Sequence, residues 1–188
     1  MSGVFDEAAG WKPVTRSGLI GWLVFYGLFL IIAARDTQGF LPLDHVNLVF
    51  HEAGHMLFAW FGYTISILGG TLGELLVPLA VAIYFYRRRE TPGLAFAAFW
   101  FFENFLYIGT YMADARTQDL PLVGSGDHDW NILFSQWGVL MQDRTIGAAT
   151  RSLGWLGMIG VIAWLVWMHL RTTEDQRMAL PKSPGRSD

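Results

Sequence analysis

Residues 18–34 read GLIGWLVFYGLFLIIAA, an uninterrupted run without a charge. An α-helix needs about 20 mostly apolar residues to cross the hydrocarbon core of a bilayer. Four further mostly apolar runs follow, at residues 46–62, 65–86, 93–113 and 152–170. The chain of 188 residues is 53% hydrophobic and only 15% charged, whereas soluble domains carry about 25% charged residues. The sequence predicts an all-α polytopic membrane helix bundle of about five transmembrane helices, and it excludes a disordered chain and most soluble folds.

These runs divide the chain into three parts. Residues 1–17 form a polar N-terminal segment, residues 18–170 form the membrane-embedded domain, and residues 171–188 form a C-terminal tail. Within the domain, residues 114–151 are mixed and acidic, which predicts an extramembrane loop. The tail is polar and contains two prolines, a composition typical of a disordered segment.

One part of this loop has helical periodicity. Five large apolar residues recur there at helical spacing, namely Trp130, Leu133, Phe134, Trp137 and Leu140. Such a stripe is typical of an amphipathic helix that lies on the membrane surface. A helix packed against the bundle would show the same pattern, so both interpretations stay open.

Basic residues predict how the chain is oriented. The triplet Arg87–Arg89 and the tail are rich in arginine and lysine, and such loops are usually cytoplasmic. We therefore expect a cytoplasmic C-terminus in a bacterial-type inner membrane, with loop 114–151 on the opposite side. The N-terminus depends on residues 46–62. A full crossing, which we slightly favour, places it outside, whereas a re-entrant segment places it inside together with Lys12 and Arg16.

The composition also excludes several classes of function. The chain has no cysteine, so it has no disulfide, thiolate metal site or thiol nucleophile. Its net charge is −3, and no Lys/Arg run is long enough to suggest nucleic-acid binding. The expected partners are the lipid bilayer and a membrane-protein or peptide substrate, while the oligomeric state stays open.

The strongest motif is His51-Glu52-Ala53-Gly54-His55, an H-E-x-x-H pattern inside an apolar run. On a helix, residues at i and i+4 project from one face, so both imidazoles can bind the same Zn²⁺ ion. Glu52 lies on the neighbouring part of the turn, where it is the candidate catalytic residue that takes a proton from a metal-activated water. Ionisable residues inside a membrane segment are costly and usually functional.

The residues after the motif extend the pattern. Phe61-Gly62-Tyr63 forms an aromatic–Gly turn, Thr64–Leu68 is a short β-prone stretch, and Gly69-Gly70 follows. This order resembles the site-2 protease family of intramembrane zinc proteases. The resemblance implies hydrolysis of substrate helices within the bilayer, with His51 and His55 as zinc ligands, Glu52 as base and the β-prone stretch pairing with substrate. The family's Asn-x-x-Pro-x-x-Pro-Leu-Asp-Gly-like segment has no counterpart here, which indicates a divergent branch of small membrane metallopeptidases.

A catalytic zinc needs a third protein ligand. We predict His128, which lies in the flexible, acid-flanked stretch Gly126–Trp130, with Asp114 as the alternative. An exposed loop histidine is the competing interpretation of His128, and a helix-end carboxylate or a salt bridge with Arg116 that of Asp114. The remaining candidates are Asp127, Asp129 and Glu74. For Asp129 an N-cap of the following helix is the favoured interpretation, and for Glu74 a neutral buried acid.

Three further polar residues fall inside apolar runs. Asn47 precedes His51 by one helical turn, and Glu103-Asn104 lies in the middle of the fourth run. They are candidates for a ligand or substrate contact and for a water-filled path to the metal. Structural hydrogen bonds between helices are the competing account.

The motif and its membrane context together predict a membrane-embedded HExxH zinc metalloprotease. It would hydrolyse peptide bonds of membrane-associated substrates with a Glu-activated water. Two alternatives stay open: a zinc-dependent membrane hydrolase of a lipid or small amide, and a non-enzymatic membrane protein that binds or transports metal.

Overall fold

The computed structural model describes residues 10–36, 39–121 and 127–179, with side chains up to residue 173. All regular structure in these ranges is helical, and they contain no strand, which confirms the all-α prediction. The helices are α1 Arg16–Arg35, α2 Asp44–Phe58, α3 Tyr63–Arg87, α4 Thr91–Ala113, α5 Asp129–Gln136 and α6 Asp143–Ala179. Short 3₁₀ turns at Ala59–Phe61 and Leu140–Gln142 follow α2 and precede α6.

Fewer helices than expected have the length and composition of a membrane span. Among the described residues, three helices qualify, at Arg16–Arg35, Tyr63–Arg87 and Leu140–Thr173. The prediction of about five spans is therefore not confirmed. Helix α2 has 15 residues and is about 22 Å long at 1.5 Å per residue, shorter than a hydrocarbon core of about 30 Å.

Two boundaries differ from the predicted ones. The tail was expected to be disordered from residue 171, but α6 continues to Ala179. The same helix begins at Asp143, so residues 143–151 of the predicted extramembrane loop are helical. The predicted segment 1–17 contains α1 from Arg16 onward, and Thr15 caps that helix by accepting a hydrogen bond from the N–H of Gly18. Residues 1–9 and 180–188 lie outside the described residues.

The β-prone stretch Thr64–Leu68 is helical, which contradicts the predicted short strand. Gly62 adopts φ +96°, a conformation that favours glycine, and α3 begins at the next residue. The first backbone hydrogen bond of the helix runs from the N–H of Ser66 to the carbonyl of Gly62 at 2.8 Å. The β-branched residues are helical because the first half of α3, which contains them, packs against α2.

Glycines allow α2 and α3 to form a close antiparallel hairpin. A Cβ on Gly54 would lie 2.1 Å from the carbonyl oxygen of Gly69, and a Cβ on Gly73 would lie 2.2 Å from that of Phe50. These contacts hold α2 against the first half of α3. Helices α4 and α6 approach each other in the same way at Gly109 and Gly147.

Contacts at one end of the bundle fix the direction of the helices. The N–H of Lys12 donates to the carbonyl of Arg89, and its ammonium group pairs with Glu90 at 2.7 Å. Nearby, the imidazole Nδ1 of His169 donates to the carbonyl of Val14. The chain before α1, the turn between α3 and α4, and the C-terminal part of α6 therefore meet at one end, which we call the basic end.

This arrangement bears on residues 46–62. Helix α1 begins at the basic end, and α3 ends there. The chain that connects them therefore begins and ends at the opposite end of the bundle. When α1 and α3 each cross once, the segment that contains α2 does not cross. Under that condition the helix directions are those of the re-entrant arrangement, the alternative to a full crossing.

Helix α5 packs against the bundle. Three residues of its apolar stripe, Trp130, Leu133 and Phe134, are buried with Ile67 of α3 and Ile108 of α4. Of the two interpretations of this stripe, the structure shows the packed helix, and Trp137 at its end stays exposed.

Candidate metal site

The two histidines of the motif lie side by side on α2, as predicted. Their ring centroids are 4.7 Å apart. His51 donates its Nδ1–H to Glu74 Oε1 at 2.9 Å, and His55 donates its Nδ1–H to the carbonyl of Ser66 at 2.8 Å. Metal-binding histidines usually donate their second ring nitrogen to a carboxylate or carbonyl in this way. Both Nε2 atoms are thereby left to bind a metal.

Asp129 of α5 completes the group. Its Oδ2 lies 3.0 Å from His51 Nε2 and 3.3 Å from His55 Nε2. Zinc binds such atoms at about 2.0–2.1 Å in tetrahedral geometry, which separates neighbouring ligands by about 3.3–3.4 Å. The three atoms are spaced for a single ion, so the group could hold a metal.

The carboxyl of Asp129 is suited to a ligand role. Burial disfavours its charged form, but when the two Nε2 atoms carry protons instead of a metal, their hydrogen bonds outweigh that effect and lower the pKa of Asp129 below its ordinary value. Exposure of the side chains is 8% for His51, 14% for Asp129 and 26% for His55. The group is therefore largely enclosed and opens on the His55 side.

The structure brings Asp129, and neither His128 nor Asp114, to the two histidines. His128 is the N-cap of α5: its Nδ1 accepts a hydrogen bond from the N–H of Asn131 at 3.2 Å. The N-cap predicted for Asp129 is therefore wrong, and the group that could hold a metal contains Asp129 in the place predicted for His128. Burial lowers the pKa of His128, which favours the neutral imidazole that a cap of this kind requires.

Asp114 organises the loop that follows α4. Its Oδ1 accepts hydrogen bonds from the hydroxyl of Thr117 and the N–H of Asp119, and its Oδ2 accepts from the N–H of Leu120. Burial opposes ionisation, but these hydrogen bonds prevail and lower the pKa of the Asp114 carboxyl. Asp114 therefore has the role of a helix-end carboxylate. It does not form the alternative salt bridge with Arg116, because Arg116 pairs with Asp143 at 2.8 Å.

Helix α5 is held in place by contacts with the end of α4. The hydroxyl of Tyr111 accepts a hydrogen bond from the N–H of Asp129 at 3.1 Å, and the amide of Asn131 donates to the carbonyl of Ala115 at 2.7 Å. The rings of His128 and Tyr111 pack against each other in a tilted arrangement, with centroids 4.2 Å apart. Together these contacts fix the position of Asp129.

Sequence reasoning ranked Asp129 low, although one signal for it was present. In the packed interpretation of α5, Trp130 and Phe134 face the bundle. The residue before Trp130 then sits at the first turn of a helix docked against α3 and α4. Asp129 was not predicted as the third ligand because a histidine ligand and an aspartate N-cap were the favoured interpretations.

Glu74 is buried and orients His51. It was one of the minor candidates for the third ligand, but it contacts Nδ1, the nitrogen that faces away from Asp129. We expect Glu74→Gln to lower zinc affinity by about 10- to 100-fold, as for other partners of metal-bound histidines. Competition with a chromogenic chelator measures this value, and Glu90→Gln at the basic end serves as the control. An unchanged affinity in Glu74→Gln would contradict the orienting role.

Gly70 leaves the space that a metal needs. A Cβ at this position would lie 2.5 Å from His51 Nε2 and 2.7 Å from His55 Nε2. The methyl group of Gly70→Ala would therefore enter the metal position, at an overpacking cost of about 1–3 kcal/mol. We expect a loss of zinc affinity of roughly 10- to 100-fold. Gly160→Ala is the matched control, since nothing lies within 4 Å of a Cβ there. Equal affinities in the two variants would refute the assigned metal position.

Glu52, the candidate catalytic residue, is half-buried on α2. Within the described part of the chain it has no hydrogen bond or ion pair, in contrast to Glu74 and Asp129. Its carboxylate is therefore not engaged by a neighbouring side chain and is available to accept a proton.

The other polar residues of the apolar runs form a separate network. The amide of Asn47 donates to both Asp44 Oδ1 and Glu103 Oε2 at 3.2 Å, and it accepts from the indole N–H of Trp100. Asn104 donates to the carbonyl of Trp100. The bonds of Asn47 with Glu103 and Trp100 join α2 to α4, which is the structural role named above, whereas the Asn104 bond lies within α4.

No family model, no curated protein and no solved structure matches this chain. The likeness to site-2 proteases therefore rests on residues 51–70 and stays a resemblance. Fold and site together define an all-helical protein with membrane-type helices and a candidate His–His–Asp metal site.

Proposed function

We propose that this chain is a membrane-embedded zinc metalloprotease that hydrolyses peptide bonds of membrane-associated polypeptides. The observation that carries the proposal is the arrangement of the two histidines. Each has its Nδ1 fixed by a partner and its Nε2 next to Asp129. Three protein ligands with a fourth position free is the usual composition of a catalytic zinc site.

The donor set fits zinc because imidazole nitrogens and a carboxylate oxygen are common zinc ligands. When bound, zinc supplies Lewis acidity, which polarises a carbonyl and makes water acidic near neutral pH. Glu52 then accepts a proton from the attacking water and returns it to the leaving amine. Glu52 follows His51 by one residue and precedes His55 by three, so it projects beside the two histidines, where it can accept the proton without being a ligand.

The number of protein ligands supports a catalytic metal site over a purely structural one. A structural zinc site is closed by four protein ligands, whereas the described residues supply three at this position. Thr64–Leu68 is helical, so we no longer assign it to strand pairing with a substrate. The lipid or small-amide hydrolase remains the second candidate, because its chemistry would use the same residues.

The test is hydrolysis by the reconstituted protein. Wild-type protein is placed in liposomes with synthetic single-span peptides and, in parallel, with casein, and the products are mapped by mass spectrometry. We expect peptide cleavage that phenanthroline abolishes and added zinc restores. Loss of acyl chains from the liposome lipids without peptide cleavage would favour the lipid hydrolase. Zinc flux into the liposomes without any hydrolysis would favour transport.

A further inference from the structure

The candidate metal site lies near one end of the bundle. Helix α3 begins at Tyr63, and the two positions that touch the histidines are Ser66 and Gly70. At 1.5 Å per residue they lie about 5 and 10 Å along the helix. Arg87, the last residue of α3, is about 25 Å further from Gly70. The site is therefore much closer to the end opposite the basic end.

Helix α5 confirms which end this is. The hydroxyl of Thr64 at the beginning of α3 donates to Gln136 at the finish of α5, at 3.0 Å. Asp129 enters the site from the same helix. All three candidate ligands therefore belong to the end where α1 finishes and α3 begins, which we call the site end.

The positive charges are unequally divided between the two ends. Ten Lys and Arg side chains are described, and six of them belong to the basic end: Lys12, Arg16, Arg87, Arg88, Arg89 and Arg171. The remaining three of the chain's 13 follow Arg171 in sequence. The other four described arginines lie toward the site end, where Arg116 pairs with Asp143: Arg35, Arg116, Arg144 and Arg151. By the positive-inside tendency, the basic end faces the cytoplasm.

The mouth of the site is bordered by exposed apolar side chains. It opens on the His55 side, and the residues around the turn from α2 to α3 are large and uncovered: Met56, Leu57, Trp60, Phe61 and Tyr63. Aromatic residues at the beginning of a membrane span typically lie at the membrane–water interface. The mouth therefore sits in the interfacial layer, where a membrane-anchored segment leaves the bilayer.

We propose that the site opens to the membrane face opposite the basic loops, the extracytoplasmic face, and acts on bonds within about 10 Å of that surface. Its substrate is the extracytoplasmic end of a membrane-anchored polypeptide. The substrate part of this inference rests on the proposed protease function, whereas the sidedness of the site does not.

Sidedness can be tested with single cysteines, because the natural chain has none. Ser135 of α5 and Ser17 of α1 are both exposed, and they lie at the site end and the basic end. Intact spheroplasts of a bacterial expression host carrying Ser135→Cys or Ser17→Cys are treated with a membrane-impermeant maleimide. We expect Ser135→Cys to be labelled directly and Ser17→Cys only after permeabilisation. The reverse pattern, or direct labelling of both, would overturn the proposal.

A second measurement tests the depth of the bond that is cut. Single-span peptides are reconstituted with the protein, and cleavage sites are mapped relative to the end of the span. We expect cuts within about three extended residues of one interface. Cuts at the middle of the span would overturn the depth assignment. If no peptide is cut while the labelling pattern holds, the protease proposal fails and the sidedness stands.

Discussion

Replacing Asp129 with alanine is expected to lower zinc affinity by at least about 100-fold. Partners that only orient a ligand contribute about 10- to 100-fold, and Asp129 supplies a ligand atom itself, 3.0 and 3.3 Å from the two Nε2 atoms. Metal content of the detergent-purified protein, followed by chelator competition, measures the loss. Asp127→Ala is the control, because Asp127 is exposed and absent from the group.

The variant His128→Ala tests whether His128 binds the metal or acts only as the N-cap of α5. Since His128 accepts the Asn131 N–H, its removal is expected to cost about 1 kcal/mol of stability, as for other N-caps. The effect on zinc should be smaller than that of Asp129→Ala, because α5 keeps its contacts with Tyr111 and Ala115. If His128→Ala lost the metal and Asp129→Ala kept it, the original prediction of a histidine ligand would be right and the present site wrong.

Local sequence patterns were sufficient to predict the long helices and the adjacent histidines of the site. Apolar runs predicted α1, α3, α4 and α6 because burial in lipid or bundle requires long apolar segments. The i, i+4 spacing of His51 and His55 predicted adjacent imidazoles because helical geometry alone decides it. These features depend on neighbours in sequence and not on how distant segments pack.

The third ligand could not be deduced in that way. Asp129 lies 74 positions after His55 in the sequence, and its place depends on how α5 docks on α3 and α4. The predicted number of spans is not confirmed, and the polar residues Glu103 and Asn104 of α4 are both buried inside the bundle. The directions of α1 and α3 follow from the contacts of Lys12 and His169, which no local pattern indicates.

The glycines of α2 and α3 connect fold and chemistry. Gly54 and Gly69 let the two helices approach within backbone contact, and Gly70 keeps a space beside the imidazoles. The Gly69-Gly70 pair is part of the stretch that resembles a protease family. The structure gives it a physical reason: larger residues would push α2 away or fill the metal position.

Changing Glu52 to glutamine should leave zinc bound and lower the hydrolysis rate by about 10²- to 10⁴-fold. General-base catalysis contributes that range, and an amide cannot accept the proton although it keeps the size of the side chain. Zinc affinity should stay within about threefold of wild type, because Glu52 is not among the ligands that orient or bind the metal. Both quantities are measured on the same reconstituted preparation, with Glu90→Gln as the control.

The two readouts of Glu52→Gln together decide between the classes of function. A variant that binds zinc but does not cleave places Glu52 at the reacting atoms and supports an enzyme. A variant that cleaves as fast as wild type would remove the general base from the mechanism. A variant that loses zinc would instead make Glu52 part of the metal site, and its carboxylate would then be a fourth ligand of the closed kind found in structural sites.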